Sequence, residues 1–379
     1  QTSWRSWGGI QTPQDADEEI ARIKGEMDKL KAAADFPLEF LPLEGLTNEA
    51  GLADNADVKA ADVLLVYACN GDLNAIAALK KDTIFFVRHQ SGPLYLYYEI
   101  ISPRFLRKHT DTLAVEGIDD GDVVVDSQEE ILWRLRALCG LHNTLGTRIL
   151  AVGGPGGWAQ PRGVCAELAR EKWKFDIRTI PYRPDPQHPD QADLAALIQA
   201  AREDKAAVEL ARKRADAYLK LPGTTLETER AFVDNCFLLE QVFRKLMAEA
   251  DCRAITINSC MGTIMPLAET TACLPLSTLN DDGYVAFCES DFVVIPAGIL
   301  MSNISGRPPF LNDPTYPHDG VITLAHCTGP RKMDGKTLEP ARVMTHFESD
   351  YGATPKVEMH NGQVVTNVIA DFKEERGLG

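Results

Sequence analysis

Two series of short apolar runs, each breaking off at polar turn residues and giving way to helical periodicity, set the architecture of this chain. Residues 61–68 (ADVLLVYA) and 83–88 (TIFFVR) read as buried parallel strands. A helix is expected over 73–79 between them, and a strand at 123–125 followed by a helix over 129–141 repeats the unit. That alternation, β-α-β-α, is the signature of a doubly wound domain. The second series begins at 148–152 (RILAV), with a helix over 164–172 and a strand over 175–181. Two long helices over 190–219 and 228–250 follow, then a strand at 254–258 (AITIN) leading to Cys260, Met261 and Gly262. Ahead of the first series, Ile20, Ile23, Met27 and Leu30 recur at helical spacing in a charged stretch over 15–34. From Gly320 onward the pattern changes to alternating strands with turn signals, as in GVITLAHC and ARVMTHFES.

At 379 residues the chain exceeds one ordinary core. The patterns divide it into α/β domains over 1–145 and 146–319 and a small β module over 320–379. A net charge of −16 without a cluster of basic residues repels a phosphate backbone or an anionic bilayer, so neither nucleic acid nor membrane is an expected partner. No apolar run approaches the roughly 18 residues of a spanning helix. The nine cysteines are odd in number, scattered and mostly flanked by apolar residues, with no CxxC pair. They read as reduced, buried thiols of a cytoplasmic protein, and the spacing is taken to exclude all-thiolate metal chemistry. The start at Gln1 keeps a processed periplasmic form as the alternative.

Gly153, Gly154, Gly156 and Gly157 follow a strand and precede a helix, where an anion can be held. Their spacing is not GxGxxG and Pro155 interrupts it, so a tight turn permitting close packing is the better reading. Arg88 and His89 stand just past a strand end, the edge where open α/β sheets present ligand-binding groups, and Asn258 ends another strand. All three are expected to bind substrate, the alternative for the first two being a solvated loop.

The densest chemistry lies between residues 280 and 347. Glu289 and Asp291 interrupt an apolar stretch, where a buried carboxylate is costly unless a cation or hydrogen bonds compensate. Asp313 sits in a Pro-flanked loop, His326 ends the run 321–325, and His346 ends another alternating run. Carboxylates and imidazoles from separate elements suit an octahedral Mn²⁺ or Mg²⁺ ion with positions left for water or sugar hydroxyls. The competing reading makes His326 a core histidine and Asp291 a helix cap.

The segment Leu279-Asn280-Asp281-Asp282-Gly283-Tyr284-Val285-Ala286-Phe287-Cys288-Glu289-Ser290-Asp291 resembles the D-x-G … CE-x-D segment of the L-fucose/L-arabinose isomerase superfamily. So do Phe310-Leu311-Asn312-Asp313-Pro314-Thr315-Tyr316 and Leu324-Ala325-His326-Cys327. The resemblance implies two Rossmann-like domains followed by the β module, and a manganese ion, replaceable by Mg²⁺ or Co²⁺, held by Glu289, Asp313, His326 and His346. It also implies that Glu289 and Asp313 transfer protons. Asn312 competes for the second acid position, and Asp313 is preferred because an amide cannot act as a base. The expected protein is therefore a metal-dependent aldose–ketose isomerase working through an ene-diol. By the same resemblance it is a trimer or hexamer in which Arg88 and His89 reach a neighbour's site. The alternatives are a non-catalytic sugar-binding protein, or an epimerase or aldol-type lyase on the same scaffold.

Overall fold

The computed structural model describes residues 8–46, 50–69, 74–95, 106–107, 113, 117–158, 163–186, 191–371 and 376–378. It is a mixed α/β fold with parallel sheets, divided into two compact units, Gln1–Cys139 and Gly140–Gly379. The division falls inside one helix, a few residues before the expected boundary at 145.

In the first unit, α1 (Pro13–Ala33) begins at a capping box in which Thr12 and Asp15 satisfy each other's backbone amides. After α2 (Ala56–Ala60) come β1 (Val63–Tyr67), α3 (Asn74–Ala77), β2 (Asp82–Val87), β3 (Val123–Val125) and α4 (Gln128–Thr144). The start of the helix expected over 73–79, Leu73, lies outside the described residues. The strands form a parallel sheet in the order β1-β2-β3. Successive β2 side chains serve opposite faces, Phe85 and Val87 packing with Tyr95 and Ile118, Ile84 and Phe86 with Leu30 and Ile131.

The buried stripe of α1 is Glu19, Ile23 and Leu30. Glu19 is on it because Arg88, at the end of β2, has no exposed surface and needs anions. Its guanidinium pairs with Glu19 and with Glu26 at 2.8 Å, and lies over the rings of Phe86, Tyr67 and Tyr95. Tyr95 donates its hydroxyl to the same Glu19 carboxylate.

Past β2 the loop is held by Asp126, whose carboxylate accepts from the amides of His89, Gln90 and Ser91 at 2.9, 2.9 and 3.0 Å and from the Ser91 hydroxyl. Partial burial works to raise its pKa, but these four donors outweigh that and hold the carboxyl well below the ordinary range.

The second unit opens with β4 (Arg148–Val152), α5 (Cys165–Lys172) and β5 (Asp176–Ile180). The helix expected over 190–219 is two helices, α6 (Leu194–Glu203) and α7 (Lys205–Leu219), because Asp204 leaves helical geometry and caps the second through Ala206 N. Asp190 lies outside the described residues. Then follow β6 (Thr224–Leu226), α8 (Arg230–Glu249), β7 (Ala254–Ile257), a π turn (Cys260–Ile264), α9 (Met265–Ala268), α10 (Cys273–Asp281), β8 (Val285–Cys288) and α11 (Ile295–Ser305).

The main sheet has the parallel order β5-β4-β7-β8, so the winding reverses between β4 and β7. Both faces are covered, as a parallel sheet requires. Leu150, Ile255, Ala286 and Cys288 pack with Leu239, Phe243 and Leu276 on one side, while Ile149, Ala254 and Phe287 pack with Ala169, Phe292 and Ile299 on the other.

The remaining strands are β9 (Asp313–Pro314), β10 (Leu324–Ala325), β11 (Ala341–His346), β12 (Tyr351–Val357), β13 (Ile369–Asp371) and β14 (Arg376–Leu378). The β module expected from residue 320 is built into the second unit instead. β11 pairs antiparallel with β12 and parallel with β6 from the middle of the chain, giving the order β12-β11-β6. Among the described residues no helix is long and apolar enough to cross a membrane.

The Asp126 clamp gives a pH-dependent expectation. Its lowered carboxyl stabilises the fold above the ordinary carboxylate range, and that contribution is lost as pH falls through it. Asp126→Asn should cost about 1–3 kcal/mol near neutrality and progressively less in acid, measured by urea denaturation across pH.

Candidate metal centre

Where the chain leaves β8, Glu289 and Ser290 both take left-handed backbone, with φ of 70° and 49°. Such residues cost about 1–3 kcal/mol each and persist only where surroundings hold them. Here Ser290 N donates to Thr256 Oγ1 at 3.1 Å, Gly156 N donates to Ser290 O at 3.0 Å, and Phe292 N donates to Gly156 O at 3.1 Å. The glycine loop after β4 is thus stitched to the segment carrying Glu289. Gly153 itself has φ of +81°, and a Cβ there would lie 2.2 Å from the Tyr182 ring, so this is the tight, closely packed turn expected of it.

Asp313 and His326 are brought together by the two-residue antiparallel ladder β9–β10, in which Asp313 faces Ala325 across the strands. His326 is the next residue. Its Nε2 lies 3.6 Å from Glu289 Oε1 and 3.9 Å from Asp313 Oδ2. One ligand atom from each of the three residues falls within 4.8 Å of the others. Ions with bonds of roughly 2.0–2.6 Å place neighbouring and opposite ligand atoms about 3–5 Å apart, so the set has the span of a coordination shell.

Exposure grades across it, from a His326 side chain 5% exposed to Glu289 at 33% and Asp313 at 72%. The Thr328 hydroxyl lies 3.2 Å from His326 Nδ1 and fixes the ring. The other ring nitrogen, Nε2, faces the two carboxylates, so the three side chains present their donor atoms to one point. Two carboxylates and an imidazole suit Mn²⁺, Mg²⁺ or Co²⁺.

Further acids surround the three. Burial first, then repulsion from Glu289, Asp291 and Glu348, raise the Asp313 carboxyl against the attraction of His326. Asp291, 7% exposed, is likewise raised, by burial and then by Glu289, against hydrogen bonds from the amides of Val293 and Trp158. Its bond to Val293 N, at 3.0 Å, makes it the turn residue leading into α11, close to the cap reading of the sequence. Glu348 carried no signal in the sequence beyond its place two residues after His346.

The other expected ligands and contacts lie elsewhere. His346 is grouped with Cys273 and Cys327, not with the carboxylates. A bulge between Met344 and His346 shifts the register of β11 and re-aims its last side chain. Asn312 turns its amide to Phe310 O and Asn367 Oδ1, leaving the acid position to Asp313. Asn258 stands at the C-terminal end of β7, 3.4 Å from Gly154 O, at the point where the winding reverses. Arg88 belongs to the first unit and is committed to Glu19 and Glu26, so the structure makes it an internal cation in place of the expected substrate contact. His89, also in the first unit, is exposed and its amide is held by Asp126.

Part of the segment that resembles the isomerases is structural. Asn280 exchanges two hydrogen bonds of 2.8 Å with the Ala286 backbone, Asp281 accepts from Lys332 N at 2.8 Å, and Asp282 pairs with Arg244. The Asn280 pair docks α10 on β8 and so fixes the strand from which Glu289 emerges, while the two aspartates tie the end of α10 to the loop before β11 and to α8. Comparison with protein-family models and with curated proteins finds no match for this chain.

Asp281 generates the second expectation. Burial pushes its carboxyl up to about 6 against the Lys332 amide and charge. A carboxyl raised on folding binds its proton more tightly in the native state, so stability is lost as pH rises from about 4 through 6. Asp281→Asn should match the wild type near pH 4 and exceed it by about 1–3 kcal/mol above neutrality, read from thermal or urea unfolding at several pH values.

Proposed function

We propose that this chain is a metal-dependent aldose–ketose sugar isomerase of the L-fucose/L-arabinose isomerase type. The observation that carries the reading is the convergence of Glu289, Asp313 and His326 beside the C-terminal edge of a parallel sheet. The reversed winding of β5-β4-β7-β8 favours a Rossmann-like second domain, whose ligand crevice lies outside the strand ends at the reversal. Asn258 stands there and is suited to donate to a sugar hydroxyl. The reading carries with it a Rossmann-like first domain, a cytoplasmic enzyme and a trimeric or hexameric assembly.

Glu289, Asp313 and His326 would hold the ion, Mn²⁺ by preference, and the chemistry it supplies there is stabilisation of negative charge on the substrate's carbonyl oxygen. Isomerisation then needs one carboxylate to remove the proton α to the carbonyl and one group to return it to the adjacent carbon through an ene-diol. Glu289 and Asp313 are the proton-transfer groups. His326, locked by Thr328, keeps its position while the carboxylates change protonation.

The test is metal analysis of the purified protein followed by turnover on a panel of aldoses and ketoses in D₂O, read by NMR. The reading requires a bound divalent ion, incorporation of carbon-bound deuterium with interconversion of aldose and ketose, and loss of both ion and turnover in Glu289→Gln. Sugar binding without exchange on any substrate would instead identify a receptor. Deuterium incorporation with inverted configuration would identify an epimerase, and shortened products a lyase.

A further inference from the structure

Behind the carboxylate centre, the residues adjoining two of its members turn to a different chemistry. Cys288 immediately precedes Glu289, and Cys327 immediately follows His326. Their sulfurs are close enough to influence each other, as are those of Cys288 and Cys260, Cys327 and Cys273, and Cys260 and Cys273, so four thiols cluster in a ring. The sulfurs of Cys273 and Cys327 and a ring nitrogen of His346 all lie within 4.8 Å of one another. Cys273, Cys288 and His346 are 1, 5 and 6% exposed. The Ser349 hydroxyl lies 3.3 Å from His346 Nδ1, which orients the ring and leaves Nε2 for coordination. Every cysteine of the chain is free, so none of the ring is consumed in a disulfide.

Four sulfurs and an imidazole drawn from five separate places, the π turn, the start of α10, the end of β8, the residue after His326 and the end of β11, are more soft donors than packing alone requires. Buried single cysteines behave as small apolar residues and do not need one another. Soft sulfur with imidazole is a donor set that selects Zn²⁺, and here Cys273 and His346 are buried while Cys327 is half-buried.

We propose that Cys273, Cys327 and His346 bind one thiophilic divalent ion, with Zn²⁺ the expected occupant. Each coordinating thiol gives its proton to solvent and no electrons move. Such an ion ties α10, β11 and the residue after His326 together, close behind Glu289 and His326. Its role is positioning, since it fixes the spacing of the carboxylate centre from the rear, and it stands independently of the reaction that centre performs.

The discriminating experiment uses the full chain, reduced and freed of metal by chelation, with folding checked by circular dichroism, and titrated with Co²⁺. Sulfur ligation gives an intense near-ultraviolet charge-transfer band, which oxygen and nitrogen ligands do not. The expected result is that band at one equivalent, its displacement by Zn²⁺, its persistence in Glu289→Gln and its loss in Cys273→Ser and Cys327→Ser. Folded wild-type protein that develops no such band and retains no Zn²⁺ would overturn the proposal whatever the variants do. A band that survives in Cys273→Ser, Cys327→Ser and His346→Ala alike would overturn it as well.

Discussion

The exit of the chain from β8 is held in left-handed backbone at Glu289 and Ser290 by bonds from Thr256 on β7 and Gly156 after β4. Three strand ends of the main sheet are thereby fastened to one another at their C-terminal edge. Glu289 is delivered to that edge as part of the fastening, so its position is set by the sheet more than by its own side-chain contacts. The same bonds place the buried Asp291 close enough to repel Asp313. The concentration of negative charge around His326 is therefore a product of backbone geometry, and it is the kind of field that a divalent ion neutralises.

Two of the charged clusters among the described residues contrast in how their charge is balanced. Arg88 is neutralised internally by Glu19 and Glu26 and faced by three rings, which leaves its guanidinium nothing to offer a ligand. Glu289, Asp313 and His326 have one imidazole between two carboxylates, with Asp291 and Glu348 adding to the imbalance. A strand-end arginine and a strand-end glutamate look alike in a sequence. What separates them is whether the counter-charge is already present, and the acids that neutralise Arg88 lie some sixty residues or more away on α1.

Much of the architecture was legible because it rests on local pattern. Strands 123–125 and 148–152 appear where the β-branched and apolar runs predict them, since those runs fit a sheet covered on both faces. The split at Asp204 was hidden because a single capping aspartate, without glycine or proline, makes it. β6 was hidden for a different reason: Thr224–Leu226 is three residues long and becomes a strand only by pairing with Ala341–Val343. At the centre, Glu289, Asp313 and His326 could be singled out because a carboxylate in an apolar run and a histidine at a strand end are locally anomalous. The sulfur ring could not, because spacing rules recognise cysteines that act as neighbours in sequence, and Cys260, Cys273, Cys288 and Cys327 become neighbours only when four elements pack.

The ladder that brings Asp313 to His326 has two residues on each side, and one of them, Pro314, has no amide to donate. The loop beyond it adds bonds from Thr315 N to Thr323 O and from Thr323 N to Thr315 Oγ1, and the mutual bonds of His318 and Val321. Glu289, by contrast, is rooted in a ladder shared with β7 across four residue pairs. The candidate centre thus joins a residue from one of the more extensively paired parts of the fold to one from a much shorter ladder, which is the part expected to open locally. Were the proposed ion bound there, it would act as a staple on that loop, and amide exchange over 313–325 would slow with its occupancy.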